Sequence, residues 1–325
     1  MVIYKKLNRI CIAIMCMIII CVFVTGCSDD KNGGKESSDK LSYELEQLTD
    51  DILIADDYIQ LAEALSAKTE DKEIYHAVPY KKGVLYTRYF HYSETSDFGW
   101  ELCYVDEETH QIVDSGVATK KALLPSIAMA GDSPVYVHEM NENEQEPSYV
   151  IKRIVDYDVN LIAERKGEAL VGDDVEAFGE WYAFTMRRNS ELLICVGNFN
   201  QVERCISLGS DMLFAFDLTE THLLYVTEGE EITLYAVNLS DGEKTSVILP
   251  AKLNEICGGK DSAAVGQSGD TLYFIDVAEN QLSVEELVEV PMECKNITLT
   301  EEIVDGSIVI QSEKGDYKFL VNNMD

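Results

Sequence analysis

Positive charge is scarce in this chain. Across 325 residues, 26 lysines and arginines face 59 aspartates and glutamates, for a net charge of −33. Such a surface repels nucleic acid and anionic lipid headgroups, which excludes polyanion binding as a function class. Cationic partners, metal ions and basic peptides stay compatible with it. Catalytic signatures are also missing: the sequence has no G-x-S-x-G, no H-E-x-x-H and no P-loop. It has no D-x-D-x-D-G calcium loop, no C-x-x-C and no Cys/His spacing suited to zinc. The five histidines (His76, His91, His110, His138 and His222) are dispersed, with no metal-ligand spacing. The expectation is a chain with no catalytic residue, no cofactor and no metal site. What is abundant is apolar and aromatic material: 46% hydrophobic residues, 17 Tyr and 10 Phe, enough for a packed core and incompatible with global disorder.

Charge and hydropathy set the N-terminus apart. Lys5, Lys6 and Arg9 precede an uncharged apolar run from Ile10 to Thr25, the layout of a secretory signal. At about 16 residues the run is short for a spanning helix, which needs about 20. It ends in Val24-Thr25-Gly26-Cys27, which resembles the bacterial lipobox. That resemblance implies cleavage of a signal peptide covering residues 1–26, acylation of Cys27, and attachment to the cell membrane facing outside the cytoplasm. More than one acyl chain on Cys27 would hold the protein firmly, where a single chain would not. From Cys27 onward the chain carries 23 basic and 59 acidic side chains, since three of the 26 basic residues leave with the signal, giving −36. Residues 27–40 contain no large apolar residue and read as a flexible polar tether with a reach on the order of 20 Å. Five cysteines remain beyond it: Cys103, Cys195, Cys205, Cys257 and Cys294. An odd number cannot all pair within one chain, and Cys195 with Cys205 is a possible pairing across one hairpin.

The rest of the chain is a repeat. The stretch Thr271-Leu272-Tyr273-Phe274-Ile275-Asp276 has relatives ending at Asp106, Asp156, Asn198, Asn238 and Asn322, which puts successive copies 50, 42, 40, 38 and 46 residues apart. A period of roughly 40–50 residues built only of short strands is the mark of a β-propeller. The reading is an all-β fold of four-stranded antiparallel blades, six in number, or seven if residues 50–80 hold a degenerate extra one. The last repeat stops after its third strand, so an N-terminal strand must complete that blade and close the ring. Residues 57–64 (Tyr58-Ile59-Gln60-Leu61-Ala62) are the expected piece, preceded by a short helix or coil lead-in over 41–56, within a single domain spanning 41–325. The pattern resembles the TolB-like and YncE-like propellers of bacterial lipoproteins over about residues 57–325.

Candidate site residues are few. Tyr92, Phe98 and Trp100 surround a long hairpin loop at 91–99 and form a possible recognition patch. Met140 to Pro147 reads as an exposed polar hairpin loop. Cys257-Gly258-Gly259-Lys260-Asp261-Ser262 lacks the upstream glycine of a phosphate loop and reads as a loop between blades. The acidic clusters Asp156/Asp158, Asp173/Asp174 and Glu228/Glu230/Glu231 read as loop solvation. The leading expectation is a membrane-anchored extracytoplasmic lipoprotein whose propeller is a non-catalytic binding module for a protein, peptide or glycan. The alternatives are a carbohydrate- or peptide-active enzyme with acids from several blades meeting at the channel mouth, and an assembly factor of an envelope complex.

Overall fold

A computed structural model describes residues 42–48, 55–66, 73–92, 97–118, 123–140, 147–259, 262–278, 281–287, 298–302, 307–312 and 315–322. Cys27 and the rest of residues 1–41 lie outside them. The described residues form six four-stranded antiparallel sheets and one helix. The first blade is β2 (Glu73–Tyr80), β3 (Gly83–His91), β4 (Phe98–Val105) and β5 (His110–Ala118). The second is β6 (Ile127–Ala130), β7 (Ser133–Met140), β8 (Ser148–Val155) and β9 (Asp158–Lys166). The third is β10 (Glu168–Phe178), β11 (Trp181–Arg188), β12 (Glu191–Asn198) and β13 (Gln201–Ser207). The fourth is β14 (Met212–Leu218), β15 (His222–Glu228), β16 (Ile232–Asn238) and β17 (Lys244–Ile248), and the fifth is β18 (Glu255–Gly258), β19 (Ala263–Ser268), β20 (Thr271–Ala278) and β21 (Gln281–Glu286). The sixth joins β22 (Thr298–Glu302), β23 (Ser307–Ser312) and β24 (Gly315–Asn322) to β1 (Ser42–Gln47) from the other end of the chain. The first strands of successive blades touch one another, β2 on β6, β6 on β10, β10 on β14, β14 on β18 and β18 on β22. The sheets therefore stand radially around an axis, as a six-bladed propeller does.

The repeated Asp or Asn has a structural cause. In three of the copies, Asp106, Asn198 and Asn238, it stands at the end of the third strand and caps the turn into the fourth. Asp106 Oδ1 accepts from the backbone N–H groups of Glu108 (2.9 Å) and Thr109 (2.7 Å). Asn198 Oδ1 accepts from Asn200 (2.9 Å) and Asn238 Oδ1 from Ser240 (2.9 Å). A short side-chain acceptor that folds back two residues ahead is what an Asx turn needs. Asp156 departs from the pattern. It and Tyr157 both take positive φ (51° and 70°), and the Asp156 carboxylate accepts from Lys81 Nζ of the first blade at 2.8 Å instead.

The N-terminal elements are the reverse of the sequence expectation. Residues 42–47 form the closing strand, and the expected strand at 57–64 is helix α1 (Ala55–Leu65). Leu41, Leu45, Leu48 and Ile52 fit a helical stripe. The alternation Tyr43, Glu44, Leu45, Glu46 fits a strand equally well, and burial decides between them. Tyr43 stacks on Phe319 (5.5 Å) and tilts against Phe274 (5.3 Å), while Leu45 joins the same cluster. In α1, Tyr58 and Ala62 stand four apart on one buried face, and Asp57 occupies the first turn, where the helix dipole favours negative charge. Ring closure by an N-terminal strand holds, with β1 in antiparallel register from Ser42 opposite Asn322 to Gln47 opposite Tyr317.

Apolar clusters fill the joints between blades. One unites the first three blades, and others join the third to the fourth, the fourth to the fifth and the fifth to the sixth. The fourth and fifth blades approach so closely that a Cβ at Gly258 would run into the carbonyl oxygen of Leu218. Cys195 and Cys205, directly opposite on β12 and β13, form a disulfide, the pairing that the sequence left open. Cys103 and Cys257 are buried and in no disulfide, and Cys294 lies outside the described residues. Cys257 and Gly258 end β18 and Ser262 precedes β19 of the same fifth blade, which corrects the reading of this segment as a loop between blades.

Candidate functional site

Aromatic side chains concentrate on the first blade. Where β3 passes into β4, Tyr92 N–H donates to Asp97 C=O at 3.2 Å, closing the base of the hairpin. Rings crowd this end of the sheet. Tyr92 stands edge-on to Phe90 (5.3 Å), His91 to Phe98 (4.9 Å), Phe98 to Tyr89 (6.0 Å), Tyr89 to Tyr75 (5.9 Å) and Tyr75 to His76 (4.4 Å). Tyr89 OH also donates to the Glu73 carboxylate. Tyr92 is 40% exposed, His91 is exposed, and Phe90, Phe98, Tyr75 and His76 are half-buried. Two of the three residues expected in a recognition patch, Tyr92 and Phe98, thus lie in a partly open band of rings at this end of the sheet, with Phe90 and Tyr92 together on one face and Phe98 and His91 together on the other. Edge-to-face packing fixes these rings and leaves ring surface facing solvent, so they present apolar area at low entropic cost.

Trp100 does not belong to the band. It is 1% exposed, two positions into β4, on the face turned toward the second blade. Its indole lies beneath Gly116, where a Cβ would collide with it, and packs on His138 (4.9 Å) and Tyr136 (6.5 Å). The sequence reading ran the hairpin loop to residue 99, next to Trp100, but β4 begins at Phe98, and Gly99 is a strand residue whose missing side chain makes room for the Phe90 ring.

Beneath the band, the joint between the first two blades is polar as well as aromatic. Asp114 accepts from Tyr136 OH (2.5 Å), Lys152 Nζ (2.7 Å) and the Ser115 N–H (2.9 Å). Burial pushes its carboxyl up, but the bonds from Lys152 and Tyr136 outweigh this and hold it below the usual carboxylate range. Tyr136 is shifted upward by burial and by the Asp114 charge. His138 sits behind them, with Nδ1 donating to the Glu139 carbonyl at 3.0 Å. Desolvation, aided by the Lys152 charge, pushes its imidazole down to about 4, so the ring is neutral at ordinary pH. At the opposite end of the same joint, Lys81 Nζ lies 4.0 Å from the Tyr157 ring centroid and 5.5 Å from that of Tyr80. This places a cation over aromatic faces.

On the other face of the first blade, Arg88 is buried and its Nε and Nη2 both donate to Glu101 Oε2, at 2.7 and 2.6 Å. Tyr86 OH and His110 Nε2 are within hydrogen-bond distance, 2.9 Å apart. Burial lowers the His110 imidazole, with Arg88 adding to the effect, and raises the Tyr86 hydroxyl. In the fourth blade, Asp217 accepts from the N–H groups of Gly258 and Leu218, each at 2.6 Å. Desolvation prevails over these two bonds and pushes its carboxyl up to about 6.

The other sequence candidates do not converge. His76 and His91 lie in the aromatic band, His138 in the first joint, His110 at the start of β5, and His222 at the start of β15 in the fourth blade, where Thr221 Oγ1 is 2.8 Å from its Nδ1. Among the described residues no group of three His, Cys, Asp or Glu is placed to hold a metal ion. Glu228, Glu230 and Glu231 are exposed around one hairpin, and Asp156 and Asp158 flank another. The side chains of Asp173 and Asp174, and residues 141–146, lie outside the described set. No helix among the described residues is long and apolar enough to cross a membrane.

No family model matches this chain, and no curated protein matches it. Among solved structures it is similar to an oligogalacturonate lyase in complex with manganese, at 11% identity over 78% of this chain and 86% of that one, with a TM-score of 0.42. It is similar to the polysaccharide lyase Uly1 at 10% identity, over 78% of each chain, with a TM-score of 0.46. It is similar to Sqt1 of Saccharomyces cerevisiae at 10% identity, over 76% of this chain and 72% of that one, with a TM-score of 0.41.

Proposed function

We propose that this chain is a lipid-anchored extracytoplasmic propeller that binds a polypeptide or glycan partner without catalysis, at the hairpin end of its first blade. The observation that carries the proposal is the partly exposed aromatic rim at that hairpin end, Phe90 with Tyr92 on one face of the sheet and His91 with Phe98 on the other. Rings fixed by their neighbours and open to solvent on one side stack on flat apolar faces of a ligand. The surplus of 59 acidic over 26 basic side chains favours partners that are neutral or cationic. The membrane attachment rests on Val24-Thr25-Gly26-Cys27, with residues 28–40 as the tether. The test is a glycan array and a peptide library probed with the protein and with Tyr92→Ala/Phe98→Ala. A specific hit on either array, lost in the double variant with its far-UV spectrum intact, is the expected outcome. Binding that ignores both substitutions overturns the site, and turnover of a glycan or peptide abolished by one Asp or Glu substitution overturns the non-catalytic reading. The anchor is checked separately: a Cys27→Ala chain should leave the membrane fraction.

A further inference from the structure

Five of the six joints in this ring are filled by apolar side chains from both neighbouring blades. The joint between the sixth and first blades is built differently. The face of the first blade that turns away from the second carries Ala77, Val84, Tyr86, Cys103 and Val105. The buried residues that complete this cluster are Tyr58 and Ala62 of α1, and among the described residues none from the sixth blade joins it. The helix packs on β2 and β3 and so stands where a neighbouring blade stands elsewhere. Its hold is small. Only Tyr58 and Ala62 are fully buried, Ile59, Leu61 and Leu65 are half-buried, and Gln60, Glu63 and Ala64 are exposed. An isolated helix of 11 residues is not stable in water, so α1 persists through its packing on the first blade.

We infer that α1 is a strap across the seam of the ring that lifts from the first blade while all six sheets stay folded. A unit with few buried contacts, adjoining sheets whose ladders do not depend on it, opens at lower free energy than the whole molecule. Lifting it uncovers Val84, Tyr86 and Cys103 beside the Arg88–Glu101 ion pair. That apolar groove with a polar edge now takes one face of α1. The inference concerns ring closure alone and does not depend on where a ligand binds.

Two buried cysteines that form no disulfide report on it. Cys103 lies beneath α1, and Cys257 lies in the cluster shared by the fifth and sixth blades. The full chain is treated with iodoacetamide under native conditions, and alkylation of each cysteine is followed by peptide mapping in a mass spectrometer. Cys103 is expected to react at least about tenfold faster than Cys257, with a weaker dependence on added urea, because less surface is exposed in the opening that frees it. Tyr58→Ala should speed Cys103 by a further factor of about ten and leave Cys257 unchanged. Equal rates with equal urea dependence for the two thiols would overturn the inference, since both would then react only through global unfolding. If Tyr58→Ala does not fold, the ratio and the urea slopes of the unaltered chain decide the matter.

Discussion

Acidification should strain the joint between the first two blades through one residue, His138. The ring lies between Trp100 and Tyr136, donates through Nδ1 to the Glu139 carbonyl, and faces the Lys152–Asp114 pair. Burial lowers its pKa from 6.5 to about 4. Above pH 6.5 the imidazole is neutral in folded and unfolded chains alike, and its contribution to stability is complete. Between 6.5 and 4 the unfolded chain takes up a proton that the folded joint refuses, so stability falls with pH. Below 4 the loss is complete. At 1.36 kcal/mol per pH unit of separation, the total is about 3 kcal/mol. Urea unfolding from pH 7.5 to 3.5, followed by tryptophan fluorescence, measures it as the difference between the protein and His138→Phe. The variant carries a constant offset for the lost Glu139 bond and should lose about 3 kcal/mol less than the protein across the window. Comparison with the variant cancels every other titrating group. Parallel curves at all pH values would refute the reasoning, because they would mean that the ring is protonated within the fold and the joint admits water.

Asp217 should act in the opposite direction. Its carboxyl is raised from 3.8 to about 6, so its contribution is complete below 3.8 and is lost as pH rises through 6, about 3 kcal/mol in all. Asp217→Asn, which keeps a neutral acceptor for Gly258 and Leu218, should gain that amount relative to the protein between pH 4 and 7 in the same urea series. Cys205→Ser opens the disulfide that closes a loop of sequence separation 10 and should cost about 3 kcal/mol, read from the urea midpoint under non-reducing conditions. Under a reductant the protein and this variant should unfold alike.

The six blades were legible because each repeats short alternating strands with an Asp or Asn near the end of the third, and in three of them that side chain caps the next turn. Asp106, Asn198 and Asn238 all do so within three residues along the chain, which is why a period could be read from them. The missing fourth strand of the last blade was legible too, but the segment that supplies it was not. Leu41, Leu45, Leu48 and Ile52 satisfy a helical period while Tyr43 and Leu45 satisfy a strand period. The choice is made by Phe274 and Phe319, more than 200 positions away in sequence. Trp100 was misplaced for a related reason: only the second blade, through Tyr136 and His138, makes its position an interior one. Tyr92 and Phe98 were found because they flank a hairpin. The polar groups of the joints were invisible because their partners lie far along the chain, 38 residues from Asp114 to Lys152 and 41 from Asp217 to Gly258.

Because Gln47 is opposite Tyr317, the first strand to be synthesised finds its partner only when almost the whole polypeptide exists. Until then β1 waits as a bare edge bearing Tyr43 and Leu45, and the growing array of blades has no way to shut. A chain that stops short of β24 keeps five complete sheets and two unmatched borders, a species suited to joining other copies of itself rather than to persisting alone. Completion of the ring is therefore timed by β24, and quality control that inspected only that strand would learn whether the circle had been made.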